Sequence, residues 1–189
     1  MGQDLGYSSE QLKVLNQAAM LHDIGKIGIP DSVLNKPGRL SDEEFAIIKE
    51  HPARGHRIIQ NARSLQREIP GVLHHHERLD GSGYPDGLSG KAIPMDARII
   101  AVADVFDALT SNRPYRHAWS VERALEIIDQ EAGHKLDSDC VAALRRVLPI
   151  WSGQHTSSLA PAQSALPRFS RLTADQRIAA ASVSGPEPS

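Results

Sequence analysis

Cysteine is nearly missing from this 189-residue chain: Cys140 stands alone. One thiol excludes a disulfide scaffold and every thiolate zinc cluster. Aromatic residues make up only 4%, which argues against a stacking platform for single-stranded nucleic acid. Neither sign of charge dominates, because 21 Lys and Arg against 23 Asp and Glu leave a net charge of −2. That balance argues against a protein that coats a polyanion with massed cations, so no DNA or RNA polymer is expected as a partner. Long apolar runs are lacking too. The longest, Ile99 to Ala103, has five residues, too few for a membrane-spanning helix, and no membrane association is expected. The opening residues Met1-Gly2-Gln3-Asp4 lack the basic-then-apolar pattern of a signal peptide. The expected location is the cytoplasm.

What the chain has in excess is histidine. Nine are present, six of them between His22 and His76, and histidine is the commonest metal ligand and the proton carrier of neutral pH. The setting is helical. Ser8 with Gln11, and Ser41 with Glu44, form capping boxes. Leu12, Leu15, Ala19 and His22 recur at helical spacing on a first helix ending near Gly25. Pro52 stops or restarts a helix after His51, and a third helix is expected from Pro52 to about Ser64. A fourth, from about Ile69 to Glu77, would carry His74-His75-His76. Asp80 to Gly90 is a loop rich in turn residues. A fifth helix is expected from Pro94 or Met95 to about Ser111, a sixth capped by Ser120, and a seventh capped by Asp137 that ends near Pro149. No alternating strand pattern occurs, so the expected fold is an all-α bundle over residues 1–149 with a metal centre between helices. Residues 150–189 hold eight Ser, seven Ala and four Pro. They are expected to form a disordered tail, because so few large apolar side chains cannot offset the ordering entropy; a short helix within Ala160–Ala181 is the exception allowed.

Asp104 lies on one helical face with Ala97, Ile100, Ala101 and Ala108. A carboxylate in an apolar stripe must be paired, protonated or metal-bound; taken alone, a salt bridge explains it equally well. His22-Asp23, at the end of the first helix, would alone read as a capping pair. Spacing changes the balance. His51 follows His22 by 29 residues, and His76 precedes Asp104 by 28, each about one helix plus its connection. Four helices thus each carry a ligand-type side chain to a place where helices pack, the way bundle interiors build metal sites. Nitrogen and oxygen donors without sulfur suit Fe, Mn, Ni or catalytic Zn, and several donors with a bridging carboxylate suggest two or more ions. Helical periodicity does not decide which pair of His74, His75 and His76 faces inward. Lys26, Arg113 and Arg116 follow ligand-bearing helices, and any one alone reads as surface charge. Together they offer the charge neutralisation that a phosphate ester needs.

The segments His22-Asp23-Ile24-Gly25-Lys26, His51-Pro52, His75-His76-Glu77-Arg78, Asp80-Gly81-Ser82-Gly83-Tyr84-Pro85, Ala103-Asp104 and Arg113-Pro114-Tyr115-Arg116, in this order, resemble the HD-GYP family of bacterial metal-dependent phosphodiesterases within the HD phosphohydrolase superfamily. The resemblance covers about residues 5 to 148. It implies an HD-domain-like helical bundle with two or three divalent ions, iron or manganese. It also implies hydrolysis of cyclic di-GMP to pGpG, and in some members onward to GMP. By matched position His22, Asp23, His51, His75, His76 and Asp104 would hold metal, with His74 an extra. Asp23 and Lys26 would serve catalysis, and Lys26, Arg113, Arg116 and Tyr84 would contact substrate. Gly83-Tyr84-Pro85 is the loop implicated in contacts with GGDEF-domain partners, and a homodimer is allowed.

Two departures stand out. Leu79 sits where the family often has Trp. The family also places a Glu and a His on a helix upstream of the His-Asp pair, and residues 1–21 contain no His and, on the first helix, only Glu10 as an acid. The chain is therefore expected to lack that ligand helix. Two rival functions follow: a catalytically impaired module that binds cyclic di-GMP or a GGDEF partner, and an HD-type hydrolase of another nucleotide.

Overall fold

The computed structural model describes residues 1–112 and 117–155, with side chains as far as 149. The expectations for Arg113 and Arg116, for the tail and for a helix within Ala160–Ala181 fall on or beyond those limits. The described residues contain no strand, only an isolated bridge between Ala132 and Leu136. The helices are α1 (Ser9–Leu21), α2 (Asp31–Leu34), α3 (Asp42–Ile48), α4 (His51–Ile59), α5 (Ile69–His74), α6 (Met95–Thr110), α7 (Val121–Glu131) and α8 (Ser138–His155).

Both capping boxes form. Ser8 accepts from Gln11 N and Ser41 from Glu44 N, while each partner side chain reaches back to the cap backbone. Pro52 occupies the first turn of α4, where its missing N–H is no loss. Asp137 starts α8 by accepting from the backbone of Asp139 and Cys140. Four boundaries differ from expectation. The first helix ends at Leu21, and a 3-10 turn over Ile24–Gly28 follows. Helix α4 ends at Ile59 rather than near Ser64, and α5 ends at His74 rather than Glu77. Helix α8 runs through Pro149 to His155, where a stop near the proline was expected. The short α2 carried no signal strong enough to separate it from a loop.

Helix α6 is the axis of the bundle. Ala97, Ile99, Ile100, Ala101, Val102, Val105, Ala108 and Leu109 are all buried, so it is apolar nearly all round, as an enclosed helix must be. Leu15 and Ala18 of α1, Val72 of α5, Ile127 and Ile128 of α7 and Leu144 of α8 share its core. A smaller core under α2 and α3 is made by Ile29, Val33, Leu34 and Ile48. Tyr7 donates to Asp96 at 2.7 Å and Arg98 to Asp137 at 2.9 Å, fixing the N-terminal segment and the start of α8 on α6. Burial pushes the Cys140 thiol up to about 12, so this cysteine is a packing residue. No helix among the described residues is long and apolar enough to cross a membrane.

The contact that matters most for the site is between the 3-10 turn and α4. A Cβ on Gly25 would lie 1.9 Å from the His51 carbonyl oxygen and 2.5 Å from Gly55 N. Only glycine lets the two backbones approach this closely, and the approach carries Asp23 to His51. Gly25→Ala must push α4 away. It should cost about 1–3 kcal/mol, the usual range for overpacking, in urea unfolding, and should weaken metal binding more than the same substitution at the open position Gly38. A variant as stable as the parent would refute the close approach.

Candidate metal centre

Three of the site histidines are held in one way. His22 Nδ1 lies 2.7 Å from the Ala19 carbonyl, His51 Nδ1 2.8 Å from that of Ile48, and His75 Nδ1 2.8 Å from that of Val72. Each carbonyl is three residues back, in the last turn of α1, α3 or α5. A carbonyl only accepts, so Nδ1 carries the proton and Nε2 of the neutral ring presents a bare lone pair. Those lone pairs converge. His51 Nε2 and His75 Nε2 are 3.2 Å apart. His51 Nε2 is 3.3 Å from Asp23 Oδ1, and His22 Nε2 is 3.4 Å from Asp23 Oδ2 and 3.8 Å from Asp104 Oδ1. His76 packs against this group, with its ring centroid 4.1 Å from that of His75 and 5.0 Å from that of His51.

The histidine triple straddles the end of α5. His74 is the last helical residue, His75 is the cap, and His76 lies beyond it. His75 still has helical dihedrals, φ −64° and ψ −16°, so the sorting is read from what each ring meets. His75 and His76 are both buried in the centre. His74 points instead to the following loop, its Nδ1 3.8 Å from Glu77 Oε1 and 3.7 Å from Asp86 Oδ2.

Acceptors that face acceptors repel unless a proton or a cation lies between them. Among the described residues three donor groups have the dimensions for it: His51, His75 and His76, and His22, Asp23 and His75, which share His75 in this centre, and His74, Glu77 and Asp86 on the loop side. His22 Nε2, Asp23 Oδ1 and both ring nitrogens of His76 are buried without a hydrogen-bond partner. The donor chemistry and these orphaned atoms fit divalent metal ions. Asp104 closes the set from α6, its side chain 9% exposed.

Lys26 is the one cation in direct contact with the donors in the described residues. Its side chain is fully buried and its Nζ donates to Asp23 Oδ2 at 2.5 Å. Burial alone would raise the Asp23 carboxyl, but the Lys26 charge and the imidazoles of His51 and His22 outweigh it and hold Asp23 well below the ordinary carboxylate range. Burial moves His51, His75 and His76 the other way, below the ordinary imidazole value. Asp23 is therefore an anion and the three rings are neutral, the forms that ligate metal.

Tyr84 stacks on His76, centroids 4.9 Å apart and planes at 29°. Its hydroxyl oxygen is buried. Gly25 and Glu77 emerge as structural supports that the motif pattern contained without revealing their task. A cleft of about 460 Å³ opens between α1 and α6, bordered by Leu12, Leu15, Ala19, Ile99 and Ala103, and it ends at His22 and Asp104.

The HD domain family matches residues 1–140. The chain belongs to that family. It is 49% identical over 148 residues to the cyclic di-GMP phosphodiesterase response regulator RpfG of Xanthomonas campestris pv. campestris, covering 77% of this chain and 39% of that protein. It is 39% identical over 142 residues to the 3'3'-cGAMP-specific phosphodiesterase 3 of Vibrio cholerae, covering 75% of this chain and 31% of that protein. The chain thus spans about two fifths or less of the length of these relatives. Among solved structures, Bd1817, a HDG"Y"P protein from Bdellovibrio bacteriovorus, shares the fold with a TM-score of 0.63 at 24% identity, over 78% of this chain and 47% of that one.

The neutral histidines set a pH dependence. His51, His75 and His76 titrate below the ordinary value of 6.5 when folded, so below 6.5 the unfolded chain takes up protons first and stability falls with pH. Each contributes a slope of at most about 1.4 kcal/mol per pH unit. Asp23, held low, adds its loss only below its ordinary value of 3.8. The chelator-treated chain should thus unfold at progressively lower temperature as pH drops from neutral to about 5.5, and His76→Gln should flatten that decline. A pH-independent midpoint would show that the rings are not held neutral.

Proposed function

We propose that this HD-GYP chain is a metal-dependent phosphodiesterase that hydrolyses cyclic di-GMP to pGpG, GMP or both. The observation that carries the reading is the inward convergence of His22, Asp23, His51, His75 and His76 lone pairs beside a fully buried lysine. These residues and Asp104 would hold two or three divalent ions; the nitrogen and oxygen donor set suits Fe, Mn, Ni or catalytic Zn, and the family resemblance favours iron or manganese. Bound ions supply charge neutralisation and an acidified attacking water.

The remaining work falls to the chain itself. Asp23 spans both donor groups, one oxygen toward His51 and the other toward His22. Lys26 keeps that carboxylate ionised and acts on the substrate phosphate through Asp23, since its ammonium is enclosed. Arg113 and Arg116, on the segment after α6, would bind the non-bridging oxygens, and Tyr84 would border the substrate. The cleft between α1 and α6 supports the reading that a helix carrying further donors packs over Leu12, Leu15 and Ala19. The Gly83-Tyr84-Pro85 loop would meet GGDEF-domain partners; a homodimer and a cytoplasmic location fit the same reading. The resemblance to a 3'3'-cGAMP-specific enzyme favours one alternative, a related cyclic dinucleotide as the better substrate. A binding module without turnover is the other.

Asp104→Ala should lower bound iron or manganese, read by elemental analysis, and remove hydrolysis while circular dichroism stays helical. Full metal content with normal turnover would sink the metal assignment. Replacing Arg113 and Arg116 with Ala should weaken cyclic dinucleotide binding by about 1.5–3 kcal/mol per lost contact, with metal content unchanged. A panel of cyclic di-GMP, 3'3'-cGAMP and mononucleotide esters, scored by product chromatography, ranks the substrates; binding with no product in any of them would leave the module reading.

A further inference from the structure

His76 breaks the rule that orients its neighbours. His22, His51 and His75 are each fixed by a hydrogen bond from Nδ1 to the carbonyl three residues back. Neither ring nitrogen of His76 has a hydrogen-bond partner, although the residue is 1% exposed. A metal-ligating imidazole without a second hydrogen bond needs another constraint, because an outer partner normally fixes its ring plane.

The loop that follows supplies one. Glu77, directly after His76, is buried, and its carboxylate accepts from the backbone of Asp86 at 2.8 Å and of Leu88 at 3.0 Å, one N–H to each oxygen. The chain is thereby bent back on itself. Gly83 passes so close that a Cβ there would lie 2.4 Å from Glu77 Cα and from Arg78 N. Tyr84 N then donates to the His76 carbonyl at 3.3 Å, and the Tyr84 ring lies against the His76 ring at 4.9 Å and 29°. His51 closes another side edge-on, at 5.0 Å and 82°.

We infer that Tyr84 is a positioning residue for His76: its ring, locked in place by the Glu77 carboxylate through the loop backbone, sets the plane of the imidazole and so aims it into the metal centre. The inference rests on the metal-centre reading, not on the identity of the substrate. Glycine is required for the close passage, the aromatic face for the stack and the carboxylate for the latch. A loop remote in function from the donors thus becomes part of their geometry.

The test is Mn2+ binding followed by electron paramagnetic resonance, on the whole chain, for Tyr84→Phe, Tyr84→Leu, Glu77→Gln, His76→Gln and the double variant His76→Gln/Tyr84→Leu. Removing the stack in Tyr84→Leu should weaken affinity about ten- to a hundred-fold, the usual cost of losing an outer support. Tyr84→Phe should restore it, and Glu77→Gln, which leaves one loop N–H without its carboxylate oxygen, should weaken it with Tyr84 intact. The double variant should bind no more weakly than His76→Gln alone. Parent-like affinity in Tyr84→Leu, a Phe variant as weak as Leu, or additive losses in the double variant would each overturn the inference. Should Tyr84→Leu fail to fold, the metal-free parent decides: the His76 ring protons should show an upfield ring-current shift relative to those of His22, and an unshifted signal overturns the stack. None of these readings uses cyclic di-GMP, so a wrong substrate assignment would leave them unchanged.

Discussion

Everything in this structure depends on bringing electron pairs together that repel one another. Three imidazoles have their Nδ1 protons committed to carbonyls three residues back, which leaves Nε2 bare and pointing at the next ring or at Asp23. In water these groups would separate. Here they are enclosed by α1, α4, α5 and α6, and Lys26 is enclosed with them as a partial counter-charge on Asp23. Burial alone favours neutral groups; it keeps the His51 and His75 rings uncharged, while Lys26 keeps the carboxylate charged. The fold thus maintains the protonation states that divalent ions require, at a cost in stability that bound metal offsets.

Close backbone contact is the means. Gly25 against the His51 carbonyl closes the gap between the 3-10 turn and α4. The apolar circumference of α6 lets α1, α5, α7 and α8 all pack on one axis, and Asp104 enters the centre from that axis. These features serve position rather than chemistry, and each acts by removing a degree of freedom from a donor. The same logic extends to the Gly83-Tyr84-Pro85 loop, which Glu77 ties down so that an aromatic face lies on His76. A partner that engaged this loop would touch the candidate metal centre through one side chain, a short physical route from an outer surface to the donors.

Lys26 shows how a motif position changes meaning when its surroundings are known. As a sequence feature, a cation three residues after Asp23 suggests a direct grip on phosphate. In the structure its side chain is wholly enclosed and bonded to Asp23. Its charge still acts through the low-dielectric interior, and in the proposed function it would reach a substrate phosphate by way of the Asp23 carboxylate.

The sequence by itself determined the all-helical class, both capping boxes and the restart at Pro52, because these depend on local periodicity and on residue chemistry; it also offered the candidate donors, with the choice among His74, His75 and His76 left open by periodicity. The ordered motifs also determined the family. Tertiary structure decided what local rules leave open. Of the histidine triple, His75 and His76 are buried in the centre while His74 faces Glu77 and Asp86, a choice that helical periodicity leaves open. The continuation of α8 through Pro149 likewise follows no local signal. The approach at Gly25, the latch at Glu77 and the stack of Tyr84 on His76 join residues from separate segments or fold a loop back on itself. No spacing encodes them, because contact across a chain reversal depends on the path of the backbone in three dimensions, and that path is settled only when the core closes.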